Sequence, residues 1–442
     1  MKDLIKKIYW KLPIGKKIKS KISRKRYEKI LRKEKEYDKK NIVKITDDSN
    51  EAKEYLKYIA ESYGKRSKDY KEYKKHELVS NHDIDLIAYY LTQFHPNEKN
   101  DLWWGKGTTE WNNVNQAVPQ FVGHYQPRKP GELGYYDLRI KDNFKRQIEL
   151  ANNYGIKAFC FYYYWFDGER LLEYPLNQFL NNKDLNIKFF YCWANENWTR
   201  RFSGTNEDIL MKITQTSENY KKFIDDVVND FKDSRYYCID GKPIISVYRP
   251  SLIPNVEEVL KFWRKQVKKI LNKQLYIIAV QEREVKTDWI KYGFDAETEF
   301  QPKQIQHNCV NITNKVKPIR KDFCGEVYDY KDLVENKRYF LPANLQKKVY
   351  PAVMPMWDNT ARRNFRGIIF HNSSPELYKK WLIDAIKNTQ NNEKLEKSIV
   401  FLNAWNEWGE GAYLEPDYYF GYAYLESTYN ALKETSTKDK EE

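Results

Sequence analysis

Apolar residues along this chain gather into eight short runs, with longer stretches of helical periodicity between them. The runs are Ile84–His95, Gly155–Phe166, Ile187–Trp198, Pro243–Pro250, Leu275–Gln281, Ala296–Gln301, Val349–Trp357 and Ser398–Trp408. Amphipathic stretches separate most of them, among them Ile140–Asn153, Tyr220–Phe231, Val256–Leu271 and Pro375–Asn388. Short, nearly continuous apolar runs read as buried strands, and the intervening period near 3.6 reads as helices. Eight such units predict an α/β fold, with a parallel sheet closed into a (β/α)8 TIM barrel. The sixth run is the weakest. Residues 302–348 after it lack clear periodicity and predict a loop-rich insertion.

Charge divides the chain further. Residues 1–40 carry 17 Lys/Arg against five Asp/Glu, a net +12 of the chain's +15. Leu4, Ile5, Ile8, Tyr9 and Leu12 recur at helical spacing within this arm, and lysines fill the other face until Pro13 and Gly15 interrupt. A basic amphipathic helix of this kind suits an anionic membrane surface. No uninterrupted apolar run approaches the ~20 residues a spanning helix needs, and no signal-peptide pattern is visible. The layout predicted is a basic N-terminal helical arm (1–45), a charged helical linker (46–82), the barrel (83–430, with the insertion 302–348) and a charged tail (431–442). Because the positive charge is concentrated in the arm rather than on a folded face, nucleic acid is not an expected partner. The five cysteines form no C-x-x-C pair, and Cys160 and Cys192 fall in predicted strands, so reduced core thiols and a cytoplasmic location are expected.

A barrel of this kind places chemistry at the C-terminal ends of its strands. Polar and aromatic residues do stand there in run after run: His95 after the first, Tyr164 and Trp165 in the second, Asn195, Glu196 and Trp198 in the third, Arg249 in the fourth, Trp357 and Asp358 in the seventh. The last run ends in Trp405-Asn406-Glu407-Trp408-Gly409-Glu410. Two carboxylates near one bond are the minimal apparatus for acting on a glycosidic linkage, one as acid and the other as base or nucleophile. Glu407 and Glu410 are therefore the candidate catalytic pair. The aromatic rings around them suit the apolar faces of sugars, and aromatic residues make up 16% of the chain. Glu110 and Trp111, in a long first loop, are candidate walls of a sugar cleft. Arg200 suits either an anionic group on the substrate or a structural ion pair.

Several strings carry a family resemblance. They are Trp103–Trp111 (WWGKGTTEW), Gly123–Pro127 (GHYQP), Phe161–Phe166 (FYYYWF), Trp193–Arg201 (WANENWTRR), Trp357–Arg363 (WDNTARR) and Trp405–Pro416 (WNEWGEGAYLEP). In this order the chain resembles the WbsX-type glycosyltransferases of bacterial surface-polysaccharide gene clusters, a family similar in turn to glycoside hydrolase family 99, the endo-α-mannosidases. The resemblance runs from about Asp85 to Tyr429. It implies a (β/α)8 barrel and implies that the N-E-W-x-E string, here Asn406 to Glu410, carries both catalytic carboxylates. Glu407 would then deprotonate the sugar 2-hydroxyl to form a 1,2-anhydro intermediate. Glu410 would protonate the leaving oxygen and afterwards activate the incoming hydroxyl, with net retention.

No Gly-rich phosphate turn is visible, and the one D-x-D, Asp83-Ile84-Asp85, falls at the start of the first strand, the wrong end of a barrel for catalysis. Neither a metal nor another cofactor is expected. The reading is a retaining glycosyltransferase of surface polysaccharide or lipopolysaccharide assembly, acting on a glycan or lipid-linked oligosaccharide at the inner face of the cytoplasmic membrane. An endo-glycosidase trimming such a glycan and a non-catalytic glycan-binding protein are the alternatives.

Overall fold

The computed structural model describes residues 64–77, 79, 83–199, 209–282, 287–319, 321–341 and 347–436, with Lys53, Leu56 and Lys57. The basic arm, Arg200 and Arg201 lie outside the described residues, and so does the membrane contact expected of the arm.

All eight apolar runs contain strands of one sheet, a nearly closed parallel barrel that resembles a TIM barrel. Its strands are β1 (Ile84–Tyr90), β2 (Ile156–Phe166), β3 (Lys188–Trp193), β4 (Lys242–Val247), β5 (Tyr276–Val280), β6 (Ala296–Thr298), β7 (Val349–Tyr350), β8 (Ala352–Val353) and β9 (Ser398–Leu402). They neighbour one another in the order β7-β6-β5-β4-β3-β2-β1-β9-β8. Nine strands arise from eight runs because Pro351 divides the seventh. A proline has no N–H to donate to a ladder, so pairing breaks there. The carbonyl of Pro351 still accepts from the N–H of Phe401 in β9 at 2.9 Å, between the two ends of the path.

Burial on both faces explains why these strands read as continuous apolar runs rather than as alternation. All seven residues of β1 are buried. Its one carboxylate, Asp85, sits at the N-terminal end and is taken up by Tyr237 (2.5 Å) and Lys397 (2.6 Å). This D-x-D carboxylate is a structural partner far from the strand ends that face the site.

The helices include α1 (Glu110–Gln116), α2 (Lys141–Asn153), α3 (Ser217–Val227), α4 (Val256–Leu271), α5 (Thr360–Arg363), α6 (Pro375–Gln390) and α7 (Ala423–Glu434). Caps fix where several begin: Thr109, Thr216 and Ser374 each accept a backbone N–H of the first turn. In α4 the buried residues Val256, Val259, Leu260, Trp263 and Val267 form one stripe at i, i+3, i+4 and i+7. Trp263 lies against Trp193 and Phe223, and its indole N–H donates to Tyr220 O at 3.0 Å. Truncating it to alanine would cost about 3–5 kcal/mol. Among the described residues no helix is long and apolar enough to cross a membrane.

Two stretches differ in detail from their expected form. Residues 64–77 hold no helix. They run along the C-terminal part of the barrel domain, where Ser67 N–H donates to Tyr419 O (2.8 Å) and His76 stacks on Tyr429 and bonds Glu426 (2.8 Å). Tyr73 packs edge-on against Tyr154 and Tyr422 there, while Lys53, Leu56 and Lys57, described ahead of this stretch, are helical. The stretch after β6 contains a strand, Glu326–Asp329, which pairs with Ile368–His371. That strand in turn pairs with Trp357–Asp358 just after β8. This small sheet carries one wall of the site.

Candidate active site

The chain leaves β9 into a tight hairpin. Asn406–Glu407 pairs antiparallel with Ala412–Tyr413, and Trp408–Glu410 forms a single 3-10 turn between them. Four side chains of the motif hold this hairpin in place. Asn406 bonds both the N–H (2.8 Å) and the carbonyl (3.0 Å) of Leu91, tying the hairpin to the end of β1. Trp408 stacks on Tyr413 at 3.7 Å and donates its indole N–H to Glu415 at 2.6 Å. Glu415 also accepts from Tyr136 (2.9 Å) and Gln147 (2.6 Å); burial pushes its carboxyl up to about 7 despite these donors. Trp405 is fully buried against Phe159. These aromatics are the frame that aims the two glutamates.

Both glutamates meet at Arg362, the third residue of α5. Its guanidinium donates from Nη2 to Glu407 Oε1 at 2.5 Å, from Nη1 to Glu410 Oε1 at 2.9 Å and from Nε to Glu110 Oε1 at 2.9 Å. The two oxygens held by its terminal nitrogens are separated by no more than about 8 Å, the span of a planar guanidinium with a hydrogen bond on each side. Gly409 makes the cluster possible. A Cβ there would stand 1.8 Å from Glu110 Oε1 and 2.8 Å from Arg362 Nε. Glu110, at the N-terminus of α1, is 0% exposed and Glu407 4%. Burial pushes Glu407 up to about 8; Arg362 opposes the shift, and Glu410 and Glu110 add to it. Burial likewise raises Glu110, again against Arg362.

In front of the cluster lies a cleft of about 830 Å³, lined by Tyr164, Glu196, Trp198, Arg249, Trp357, Glu407 and Glu410 among others. Strand alternation decides which aromatics face it. Tyr162 and Tyr164 of β2 line the cleft, whereas Trp165 turns outward onto Trp193 and Phe223. Gln93 reaches Tyr164 from the end of β1 (3.2 Å). Arg249, after β4, bonds Glu196 at 3.2 Å and Glu282 at 3.2 Å. Lys303 lies over the ring of Tyr248 at 4.0 Å.

The other candidates stand behind this surface. Asn195 is buried and exchanges two hydrogen bonds with the Arg249 backbone (2.7 and 2.8 Å), fixing that loop. Asp358 is fully buried and accepts from His124 (2.7 Å), Gln126 (2.7 Å) and the N–H of Thr360 (3.0 Å). Burial works to raise it, but His124 and Arg128 overcome that and hold it well below the usual carboxylate range. Its oxygens anchor the wall that bears Trp357 and the start of α5. Trp111 is buried and donates to Tyr136 O at 2.8 Å. His95 is buried beside Tyr174 and bonds Pro96 O at 3.2 Å, and burial lowers its imidazole to about 4. Neither His95 nor Trp165 lines the cleft. Arg362 is the site residue that strand ends did not point to; the only trace of it is its place in the WDNTARR string, one turn past a strand.

The family model for glycosyltransferase WbsX matches residues 86–428. The uncharacterized protein WxcX of Xanthomonas campestris pv. campestris is 40% identical over 347 residues, which cover 78% of this chain and 49% of WxcX. The chain thus spans about half the length of the curated relatives it matches. Among solved structures, a glycoside hydrolase-like protein superposes with a TM-score of 0.53 at 18% identity, over 82% of this chain and 97% of that one. The GH99 endo-alpha-mannosidase from Bacteroides thetaiotaomicron superposes with a TM-score of 0.50 at 14% identity, over 80% of this chain and 98% of that one. At such identities the likeness is one of fold. Motif order, the family match and the barrel agree, and the chain belongs to the WbsX glycosyltransferase family.

Proposed function

We propose that the protein is a retaining glycosyltransferase of bacterial surface polysaccharide or lipopolysaccharide assembly, with Glu407 and Glu410 as its acid–base pair. The family match supports a carbohydrate as the substrate. The observation that carries the reading is the pair itself: two glutamates of one turn, gripped by one guanidinium, at the C-terminal mouth of the barrel on an aromatic-walled cleft.

In the proposed reaction Glu407 takes the proton of the donor sugar's 2-hydroxyl, and that oxygen attacks C1 as the C1–O glycosidic bond breaks. Glu410 gives its proton to the leaving oxygen. The 1,2-anhydro sugar is then opened by an acceptor hydroxyl, whose proton passes to Glu410 while the 2-oxygen recovers its own from Glu407. Two inversions at C1 leave the configuration retained. A carboxylate raised to about 8 is a stronger base toward a hydroxyl than an ordinary one. Glu407 must first lose its proton, so the rate should rise with pH toward about 8. A rate that falls through that range would instead make Glu407 the acid.

The deciding experiment offers lipid-linked and soluble glycans as donors, with sugar acceptors in water, and follows products by mass and anomeric NMR. Transfer with retention supports the proposal. Release of free sugar alone would make the protein an endo-glycosidase, and binding without turnover a glycan-binding protein. The basic arm would attach the enzyme to an anionic leaflet at ~1 kcal/mol per engaged basic residue. Sedimentation with phosphatidylserine vesicles should be lost on deleting residues 1–40; unchanged sedimentation would rule the attachment out.

A further inference from the structure

Glu110 carries a carboxylate into the core beside the reacting pair without lining the cleft. Burying a charge in such a place is costly unless it is paired. The pairing is with Arg362, whose Nε it binds at 2.9 Å, and Gly409 leaves the room for it. Arg362 in turn grips both Glu407 and Glu410 by Oε1. Each of the two glutamates thus has one oxygen anchored to the same guanidinium.

Resting on the reading of Glu407 and Glu410 as the reacting pair, we propose that Glu110 and Arg362 are its positioning couple. Glu110 locks the guanidinium, and the guanidinium holds both reacting carboxylates and governs which of them keeps a proton. The two members act on Glu407 with opposite sign. The cation favours its ionised form, whereas the buried Glu110 carboxylate disfavours it. Among the described residues, the other titratable groups that act on Glu407 are Glu410 from its own turn and Tyr162 and Tyr164 from β2. Both tyrosines are held far above their usual range by burial and stay neutral, so they do not confuse the titration.

The test is an infrared titration of the Glu407 carboxyl in the full chain, isolated as the difference from Glu407→Gln. Glu110→Gln, which removes a buried charge, should lower the Glu407 midpoint by about one pH unit or more, and Arg362→Gln should raise it by a similar amount. Arg362→Lys keeps the charge but not the three directed bonds. It should move the midpoint little while cutting turnover about 10–100-fold through misplacement. Shifts of the same sign in Glu110→Gln and Arg362→Gln, or no shift in either, would overturn the proposal. Should Arg362→Gln fail to fold, the Glu110→Gln shift and the split seen in Arg362→Lys decide the matter. The titration reads whether or not any glycan is turned over, so failure of the proposed reaction and failure of the couple are separable.

Discussion

Two arginines of the cleft each hold more than one carboxylate, and the clusters they build differ in depth. Arg362 binds three glutamates with its side chain 17% exposed, while two of its partners, Glu110 and Glu407, are exposed by 0% and 5%. Arg249 binds Glu196 and Glu282 with its own side chain 29% exposed and theirs 23% and 20%. The residue types are the same, but Glu110 and Glu407 are sealed from water, whereas Glu410, 25% exposed, is as open as the carboxylates of the second cluster. In the first, desolvation raises Glu407 to about 8 and makes it able to exchange a proton near neutral pH. Partly exposed ion pairs are weak and exchangeable, which suits binding a polar substrate rather than transferring its protons.

The sharpest way to break this contrast is to neutralise the deep cluster. Glu407→Gln and Glu410→Gln should each lower turnover by roughly 10²–10⁴-fold with folding intact, as for loss of a general acid or base. Near-normal turnover in either soluble variant, measured on the donor found in the screen, removes the assignment. Next comes Gly409→Ala. A Cβ 1.8 Å from Glu110 Oε1 must push that carboxylate or Arg362 aside. Turnover should drop about 10–100-fold, and a fully active variant would show that the cluster is not needed in this form.

Proton binding by the deep cluster should also be visible in stability. Folded Glu407 keeps its proton to about 8, whereas an unfolded glutamate releases it near 4.5. Between these values the native state binds more protons, so stability falls as pH rises. From pH 5 to 8 the contribution is on the order of 3 kcal/mol, and Glu407→Gln should flatten the decline in a denaturant series. A decline as steep in the variant would locate the proton elsewhere. In the shallow cluster, Arg249→Gln should raise KM about tenfold and leave kcat within about twofold, the pattern of lost uniform binding. A kcat loss as large as that of Glu407→Gln would erase the distinction between the clusters. At the exposed extreme, the Lys261–Glu257 pair on α4 should matter least. Replacing Lys261 with Ala should move Tm by no more than about 1 °C by calorimetry.

Much of the architecture was legible because burial on both faces writes each barrel strand as an apolar run, and the polar break at its end marks the mouth. All eight runs contain strands, and the one divided strand follows from the proline at 351. The candidate pair was legible as well, since both glutamates sit three residues apart after β9. The aromatic residues were harder to place. Trp165 and Tyr164 are neighbours with the same surface chemistry, yet strand alternation sends one to the core and the other to the cleft. Trp405 and Trp408 proved to be the frame of the hairpin, with Trp408 recruited by a buried Glu415 that no strand end announced.

By itself the sequence determined the barrel-like α/β architecture, the family and the place of the candidate pair, all of which depend on local runs of residues and their order. Only the tertiary structure decided that Glu110, 297 residues before Glu407, and Arg362, 45 before it, share its charge. It also decided that Asp358 and Asn195 brace the site from behind. The physical reason is that depth and proximity are properties of the folded barrel. A carboxylate's proton affinity depends on how much water the fold removes and which distant charges it brings near, and neither is written in the spacing of neighbours along a chain.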